Sequence, residues 1–299
     1  EIFFNTYKMG VTFHEFKFLE YITKSQTLGN VLTLGRQELI LNENDLKKLN
    51  VIKNKNFVEK YSDKILIENF NATSITSLDN SNFEGASIVF DMNLPLKNLN
   101  RQFDTIIDFG TSEHIFNVTQ SLQNVSDLCK KEGLILHCLP ANNNCGHGFW
   151  QFSPELFFSL YSKKNGFLDT EIFLFDSYNK YEWWKINPQK PGERLELSSE
   201  VSLYVAVKTK KNCEKTKQLV QQSDYTFRWD NDELIKKKIL KKKTISFIWK
   251  RSKDFLKKIW FKLILPQRIS EKIEGKKITK KKFFEKSKYI KKIIFNENK

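Results

Sequence analysis

Five short strand-like runs, apolar or β-branched, in the first half of the chain each stop on a residue that ends a strand. Residues 31–34 stop at Gly35, 73–78 at Asp79, 87–90 at Asp91, 105–107 at Asp108 and 134–139 at Pro140. Helical periodicity fills much of the space around them. Phe13, Phe16, Leu19 and Ile22 share a face over residues 12–24, residues 45–52 read as a second helix, and Val118, Leu122, Val125 and Leu128 mark a third. Strands separated by helices need crossover connections, which leads to an α/β chain with a doubly wound, mostly parallel sheet. Two later runs, 170–175 and 201–207, are joined by a polar segment containing Pro188, Pro191 and Gly192. They are predicted to pair antiparallel, giving the sheet an antiparallel edge strand.

Charge divides the chain at a different place from hydropathy. The whole sequence carries a formal net charge of +15, but residues 209–299 hold 29 Lys/Arg against 10 Asp/Glu, a net of +19. Residues 1–208 hold 21 against 25, a net of −4. The expected organisation is therefore an α/β domain over 1–208 and a basic, mainly helical C-terminal extension over 209–299. Within that extension, apolar positions from 245 to 263 step by threes and fours opposite Lys250, Lys253, Lys257, Lys258 and Lys262, and Pro266 stops the pattern. Three partners suit such a segment, read in this order. An anionic membrane surface would take Trp249, Phe255, Ile259 and Trp260 with the lysines around them, through residues 245–265. A second copy of the chain, or its own domain, would take the apolar face. Nucleic acid comes third, because lysine outnumbers arginine 44 to 6 and bidentate phosphate recognition favours arginine.

Several classes drop out. Cys129, Cys138, Cys145 and Cys213 contain no Cys-x-x-Cys pair, so neither a zinc ribbon nor a dithiol motif is written, and no metal is expected. No apolar run approaches the roughly 18–20 residues that span a bilayer. No secretory leader is legible, although a start at Glu1 rather than Met is compatible with a fragment. The expected location is cytoplasmic, at the inner face of a membrane.

In open α/β sheets, ligands sit beyond the carboxyl ends of the strands. Those ends here are Gly35, Asp79, Asp91, residues 108–114 and residues 140–147. Gly35 would let backbone pass close to a ligand, Asp79 would accept from the hydroxyls of a ribose, and Asp91 with Met92 would offer an acceptor and an apolar surface to a purine. Each aspartate taken singly reads as well as a helix cap or a solvated loop residue. Their order at successive strand ends favours the ligand reading.

Phe103-Asp104-Thr105-Ile106-Ile107, then Ser112-Glu113-His114-Ile115, then Cys129-Lys130-Lys131-Glu132-Gly133 leading into Leu134-Ile135-Leu136, resemble the core of S-adenosylmethionine-dependent methyltransferases of the Rossmann-like class, type 11-like. The resemblance covers roughly residues 28–208 and is strongest over 103–155. There, His147-Gly148-Phe149-Trp150-Gln151-Phe152-Ser153-Pro154-Glu155 is similar to a subgroup segment associated with sugar or cell-envelope gene clusters. The resemblance implies S-adenosyl-L-methionine as cofactor, held by Gly35, Arg36, Gln37, Asp79, Asp91, Met92 and Asp108. It implies methyl transfer to a hydroxyl of a sugar or envelope precursor. The first glycine motif departs from the family. Thr33 stands where a carboxylate is usual, only Gly35 remains of the glycines, and Gln37 and Leu39 bring side chains to the loop. This leaves a degenerate module that binds without catalysing as the alternative, and a nucleic-acid methyltransferase as a second. Against the second, the strand end Leu139-Pro140-Ala141-Asn142 lacks the Asp/Asn-Pro-Pro-aromatic motif of amino-methylating DNA enzymes.

Removing a hydroxyl proton needs a base, and neutral histidine suits pH 7. His14 and His137 fall in predicted core elements. His147, His114 and Glu113 fall on loops at the ligand end and are the catalytic candidates, with His147 preferred for its position between two glycines. Asn142, Asn143, Phe149 and Trp150 are the acceptor-side candidates, with polar turn and buried core as their ordinary alternatives. Residues 178–194, carrying Tyr181, Trp183, Trp184, Lys185 and Arg194, are read as a cap over the acceptor.

Overall fold

The structure is a computed structural model. It describes residues 10–49, 51, 60–97, 99, 101–190, 193–195, 201–216, 220–232 and 290–294. In chain order, the elements are α1 (Phe13–Thr23), β1 (Gly29–Leu34), α2 (Glu43–Lys48), α3 (Asp63–Phe70), β2 (Ala72–Asp79), β3 (Ile88–Val89), β4 (Phe103–Phe109), α4 (Val118–Leu128), β5 (Cys129–Asn142), α5 (Pro154–Leu160), β6 (Phe167–Asp176), β7 (Glu182–Ile186), β8 (Leu203–Lys211), α6 (Ser223–Asp230) and β9 (Ile290–Ile294). Thr12 starts α1 with a capping box, its side chain accepting from the first turn while Glu15 reaches back to the Thr12 backbone N–H.

One nine-stranded sheet runs in the order β3-β2-β1-β4-β5-β8-β6-β7-β9. β1 pairs in parallel with β2 and β4, β2 with β3, and β4 with β5. The order reverses between β1 and β4, which opens the crevice where doubly wound sheets bind ligands. Beyond β5 every pairing is antiparallel. Neighbouring residues on a strand point to opposite faces, and here both faces are apolar. Leu32, Ile106, Ile135, Leu174 and Val205 pack with α4 and α5 on one side. Val31, Ile107, Leu136, Phe173 and Ala206 pack with α1 and α3 on the other. Burial on both faces explains why these strands read as continuous apolar runs rather than alternating ones.

Two expectations need correction, and a third is sharpened. The antiparallel pairing expected for residues 170–175 and 201–207 is present as β6 with β8. It lies in an antiparallel part of the sheet that runs out to β9 at the edge, with β8 itself inside, between β5 and β6. Its all-apolar stretch Val205-Ala206-Val207 is what a doubly covered strand requires. The aromatic centre of the segment read as a cap is sheet instead, since Trp183 and Trp184 lie on β7 and are buried at 1% and 4% exposure. Around it, Tyr181 accepts from Lys48 Nζ at 2.8 Å, Lys185 pairs with Glu171, and Arg194 pairs with Asp224 at 2.7 Å. Finally, β8 continues to Lys211, so the sheet crosses the boundary expected at 208, and β9 joins it by pairing with β7. The amphipathic stretch 245–265 lies outside the described residues. No helix among the described residues is long and apolar enough to cross a membrane.

Candidate functional site

β1 ends in a tight turn that its own polar side chains hold open. Gly35 has φ of +69°, and a Cβ there would come within 3.2 Å of Thr111 Oγ1 and 3.7 Å of Asp79 Oδ2. The Leu34 carbonyl accepts from Thr111 Oγ1 at 2.8 Å and from Gln37 Nε2 at 2.6 Å. Thr33, fully buried, donates to the Gly35 carbonyl at 2.9 Å. The residue that departs from the family's carboxylate thus pins the turn.

The cavity of about 580 Å³ beyond this turn is walled by the ends of β1, β2 and β4 and by the segment after β3. Gly35, Arg36, Gln37, Asp79, Asp91 and Met92, the residues read from sequence as cofactor candidates, all line it. Glu84, Asn93, Thr111, His114 and Ile115 line it too. Asp79 holds its own loop, with Oδ1 accepting from Ser81 N at 3.1 Å. Asp91 Oδ1 accepts from both nitrogens of Asn93 at 2.8 Å. Arg36 is committed to the wall. It pairs with Asp63 at 3.0 Å, donates to the Gly85 carbonyl at 3.0 Å and lies 4.0 Å from the Tyr61 ring centroid. Gln37 is 4% exposed, and while its Nε2 is used, its Oε1 has no hydrogen-bond partner.

Asp108 is not on this wall. It is fully buried and accepts from Thr111 N and Ser112 N at 3.2 Å and from Ser112 Oγ at 2.6 Å. Its Oδ2 lies 2.8 Å from His137 Nδ1, and His137 Nε2 lies 2.6 Å from the Tyr161 hydroxyl. Burial alone would push the Asp108 carboxyl up, but the bonds from His137 and Ser112 hold it below the usual carboxylate range. Asp108, His137 and Tyr161 therefore make a buried line that fixes the β4 turn. Tyr161 just follows α5, a helix that the sequence reading missed.

The catalytic candidates do come together. Glu113 and His114 lie on a 3₁₀ turn after β4, and the 143–152 loop folds back over them. Phe149 N and Trp150 N both donate to the Glu113 carbonyl, at 2.8 and 3.3 Å, and Trp150 Nε1 donates to the Ile115 carbonyl at 2.9 Å. Gly148 permits the approach, since a Cβ there would fall 2.8 Å from the Glu113 carbonyl oxygen. Glu113 Oε1 ends 3.5 Å from His147 Nε2 and 3.8 Å from His114 Nε2, and the imidazole centroids are 5.3 Å apart. Burial pushes the Glu113 carboxyl up, and the nearby Asp108 charge adds to it, while His147 opposes. Burial and the neighbouring His147 push His114 down, which favours its neutral form. His114 is the member of the trio on the cavity wall; His147, preferred from sequence, is not.

The asparagine run is largely spent on structure. Asn143, at φ of +58°, donates to the Val201 carbonyl at 2.7 Å, and the Asn142 carbonyl accepts from Asn144 Nδ2 at 2.8 Å. Phe149 is 67% exposed and meets the equally open Phe116 edge-on at 6.0 Å, with Trp150 beside them. Phe116 escaped the sequence reading because a lone aromatic after a turn carries no periodic signal.

No family model and no curated protein matches the chain. Among solved structures, it is similar to the N-methyltransferase NodS from Bradyrhizobium japonicum WM9, at 9% identity and TM-score 0.38, over 66% of this chain and 94% of that one. It is also similar to a SAM-dependent methyltransferase from Archaeoglobus fulgidus, at 13% identity and TM-score 0.37, over 65% and 91%. A third is the 1,6-didemethyltoxoflavin-N1-methyltransferase from Burkholderia thailandensis, at 10% and 0.36, over 67% and 78%. The strand order, five parallel strands as 3-2-1-4-5 with an antiparallel strand inserted next to the fifth, is that of a doubly wound, Rossmann-like sheet.

Proposed function

We propose that this chain is an S-adenosylmethionine-dependent methyltransferase acting on a hydroxyl-bearing small acceptor, of the sugar or cell-envelope precursor class. One observation carries the reading: the cavity at the strand-order reversal is ringed by Gly35, Asp79, Asp91 and Met92 at successive strand ends. The residues present fit the cofactor. Gly35 supplies the φ of +69° that the turn lining the cavity requires, and a side chain there would crowd Thr111 and Asp79. Asp79 is placed to accept from ribose hydroxyls, Met92 to pack on the purine and Asp91 to accept from the nucleoside. Asp108 drops out of the binding set, and Arg36 serves it by holding the wall.

The bound cofactor would supply a methyl group already activated on a sulfonium. The protein's own task is then alignment of the acceptor and removal of its proton. Neutral His114 on the cavity wall would accept that proton, with Glu113 and His147 behind it. Phe116, Phe149 and Trp150 offer an exposed aromatic surface of the kind on which a sugar face stacks. The full chain incubated with methyl-tritiated S-adenosylmethionine and a panel of sugar and nucleotide-sugar alcohols tests this. Label transferred to a hydroxyl supports the reading. Saturable donor binding with no transfer to any acceptor selects the non-catalytic module instead.

A further inference from the structure

The trio behind the cavity has a geometry that hydrogen bonding does not explain. Glu113 is fully buried, and the nearest side-chain donor to its carboxylate is the His147 ring at 3.5 Å, a long and weak contact. Desolvating a carboxylate without close partners is costly, and such groups normally hold a counter-charge, a water or an ion. The nitrogens that face it stand too far away for strong hydrogen bonds, at 3.5 and 3.8 Å. They stand at the right distance for a shared ion. Two ligands each about 2.1 Å from a metal at a tetrahedral angle lie ~3.4 Å apart. One donor atom each from Glu113, His114 and His147 lies within 4.8 Å of the others.

We infer that Glu113, His114 and His147 form a divalent transition-metal site, a two-histidine, one-carboxylate set that leaves coordination positions open towards the cavity. Imidazole and carboxylate together suit zinc and its neighbours in the first transition row rather than magnesium or calcium. The backbone is built to hold the three ligands. Glu113 and His114 are adjacent on one turn, and the Phe149 N–H bond to the Glu113 carbonyl brings in His147, which lies 34 positions after Glu113 in the chain. Gly148 is the residue that lets this loop approach. The ion's role rests on the proposed methyl-transfer reading: an acceptor bearing a hydroxyl or carboxylate oxygen would be oriented by the cation, and with His114 then engaged as a ligand the ion would favour the deprotonated oxygen in place of that imidazole acting as base.

The test needs no methyl donor, so its outcome is independent of whether the cofactor binds. The full chain, stripped with EDTA and dialysed, is titrated at pH 7 with ZnCl₂ by calorimetry and with CoCl₂ by visible absorption. One equivalent is expected to bind, with a cobalt spectrum of a four- or five-coordinate site. Glu113→Gln and His147→Asn, checked for fold by circular dichroism, should each lose at least about 100-fold in affinity. Cys145→Ser, on the same loop but outside the trio, should leave the affinity within about twofold. Should Glu113→Gln fail to fold, His147→Asn on the loop decides alone. Stoichiometric binding that survives His147→Asn, or no heat and no cobalt spectrum with the wild type, overturns the site.

Discussion

His147 Nε2 lies 3.5 Å from Glu113 Oε1, although the two residues are 34 positions apart in the chain. The contact exists because the 143–152 loop is bonded by its own backbone to the turn that carries Glu113. The trio is therefore a product of loop packing, and loop packing is where it is most easily disturbed.

Gly148→Ala tests that dependence. The added methyl would fall 2.8 Å from the Glu113 carbonyl oxygen and 2.9 Å from its Cγ, and one of the two is backbone that cannot swing away. Thermal or urea unfolding should show a loss of about 1–3 kcal/mol. Zinc affinity should fall with it. Unchanged stability would mean the loop does not sit on Glu113.

The buried line Asp108–His137–Tyr161 is predicted to be structural. Tyr161→Phe removes the hydroxyl 2.6 Å from His137 Nε2 and leaves a ring nitrogen unpaired in the core. Stability should drop by about 1–3 kcal/mol, while affinity for S-adenosylhomocysteine stays within about twofold. A selective loss of affinity in a fully stable variant would place the line in the binding site instead.

His14 gives the fold a pH dependence of known sign. It lies in the core, where Trp183 Nε1 donates to its Nδ1 at 3.1 Å, and burial lowers its pKa to about 3. The unfolded chain takes up that proton near 6.5 and the native chain does not, so this contribution to stability falls as pH drops from 6.5 towards 3. Between pH 7 and pH 5, urea unfolding of the wild type should lose about 2 kcal/mol relative to His14→Gln, which cannot titrate there. Parallel curves for the two proteins would contradict the assignment.

Lys211 shows that the basic region begins inside the fold. It is fully buried at the end of β8, donating to the Ser126 and Cys129 carbonyls at 2.8 and 2.7 Å, at the C-terminal end of α4. A cation there answers both the orphan carbonyls and the helix dipole. Lys211→Met keeps the apolar stem and strands two acceptors, so the melting temperature should fall by several degrees, on the order of 2 kcal/mol. A variant as stable as wild type would show these carbonyls to be otherwise satisfied.

What the sequence discloses and what it hides follow from range. The parallel half was legible because a doubly covered strand writes itself as an apolar run and stops on a turn residue, as residues 31–35 and 105–108 do. The cavity wall came with it, since Gly35, Asp79 and Asp91 are set by strand ends. The placement of β8 between β5 and β6 was not legible. Which neighbour a strand takes depends on pairings with residues some seventy positions away, such as Cys138 with Ala206. Trp183 and Trp184 resembled a loop cap because the prolines that follow mask a five-residue strand. Asp108 was assigned to the ligand for the same reason that Asp79 was, its position at a strand end. Only the buried partners Ser112 and His137 separate the two roles.

The central claim is that the cavity beyond β1, β2 and β4 holds S-adenosylmethionine. A calorimetric titration of the full chain with S-adenosylhomocysteine, run beside Asp79→Ala, tests it most directly. The account predicts one saturable site tighter than about 100 μM, weakened at least ~10-fold by the loss of the Asp79 carboxylate. No heat from the wild type at about 1 mM ligand, or equal affinity in Asp79→Ala, would contradict it.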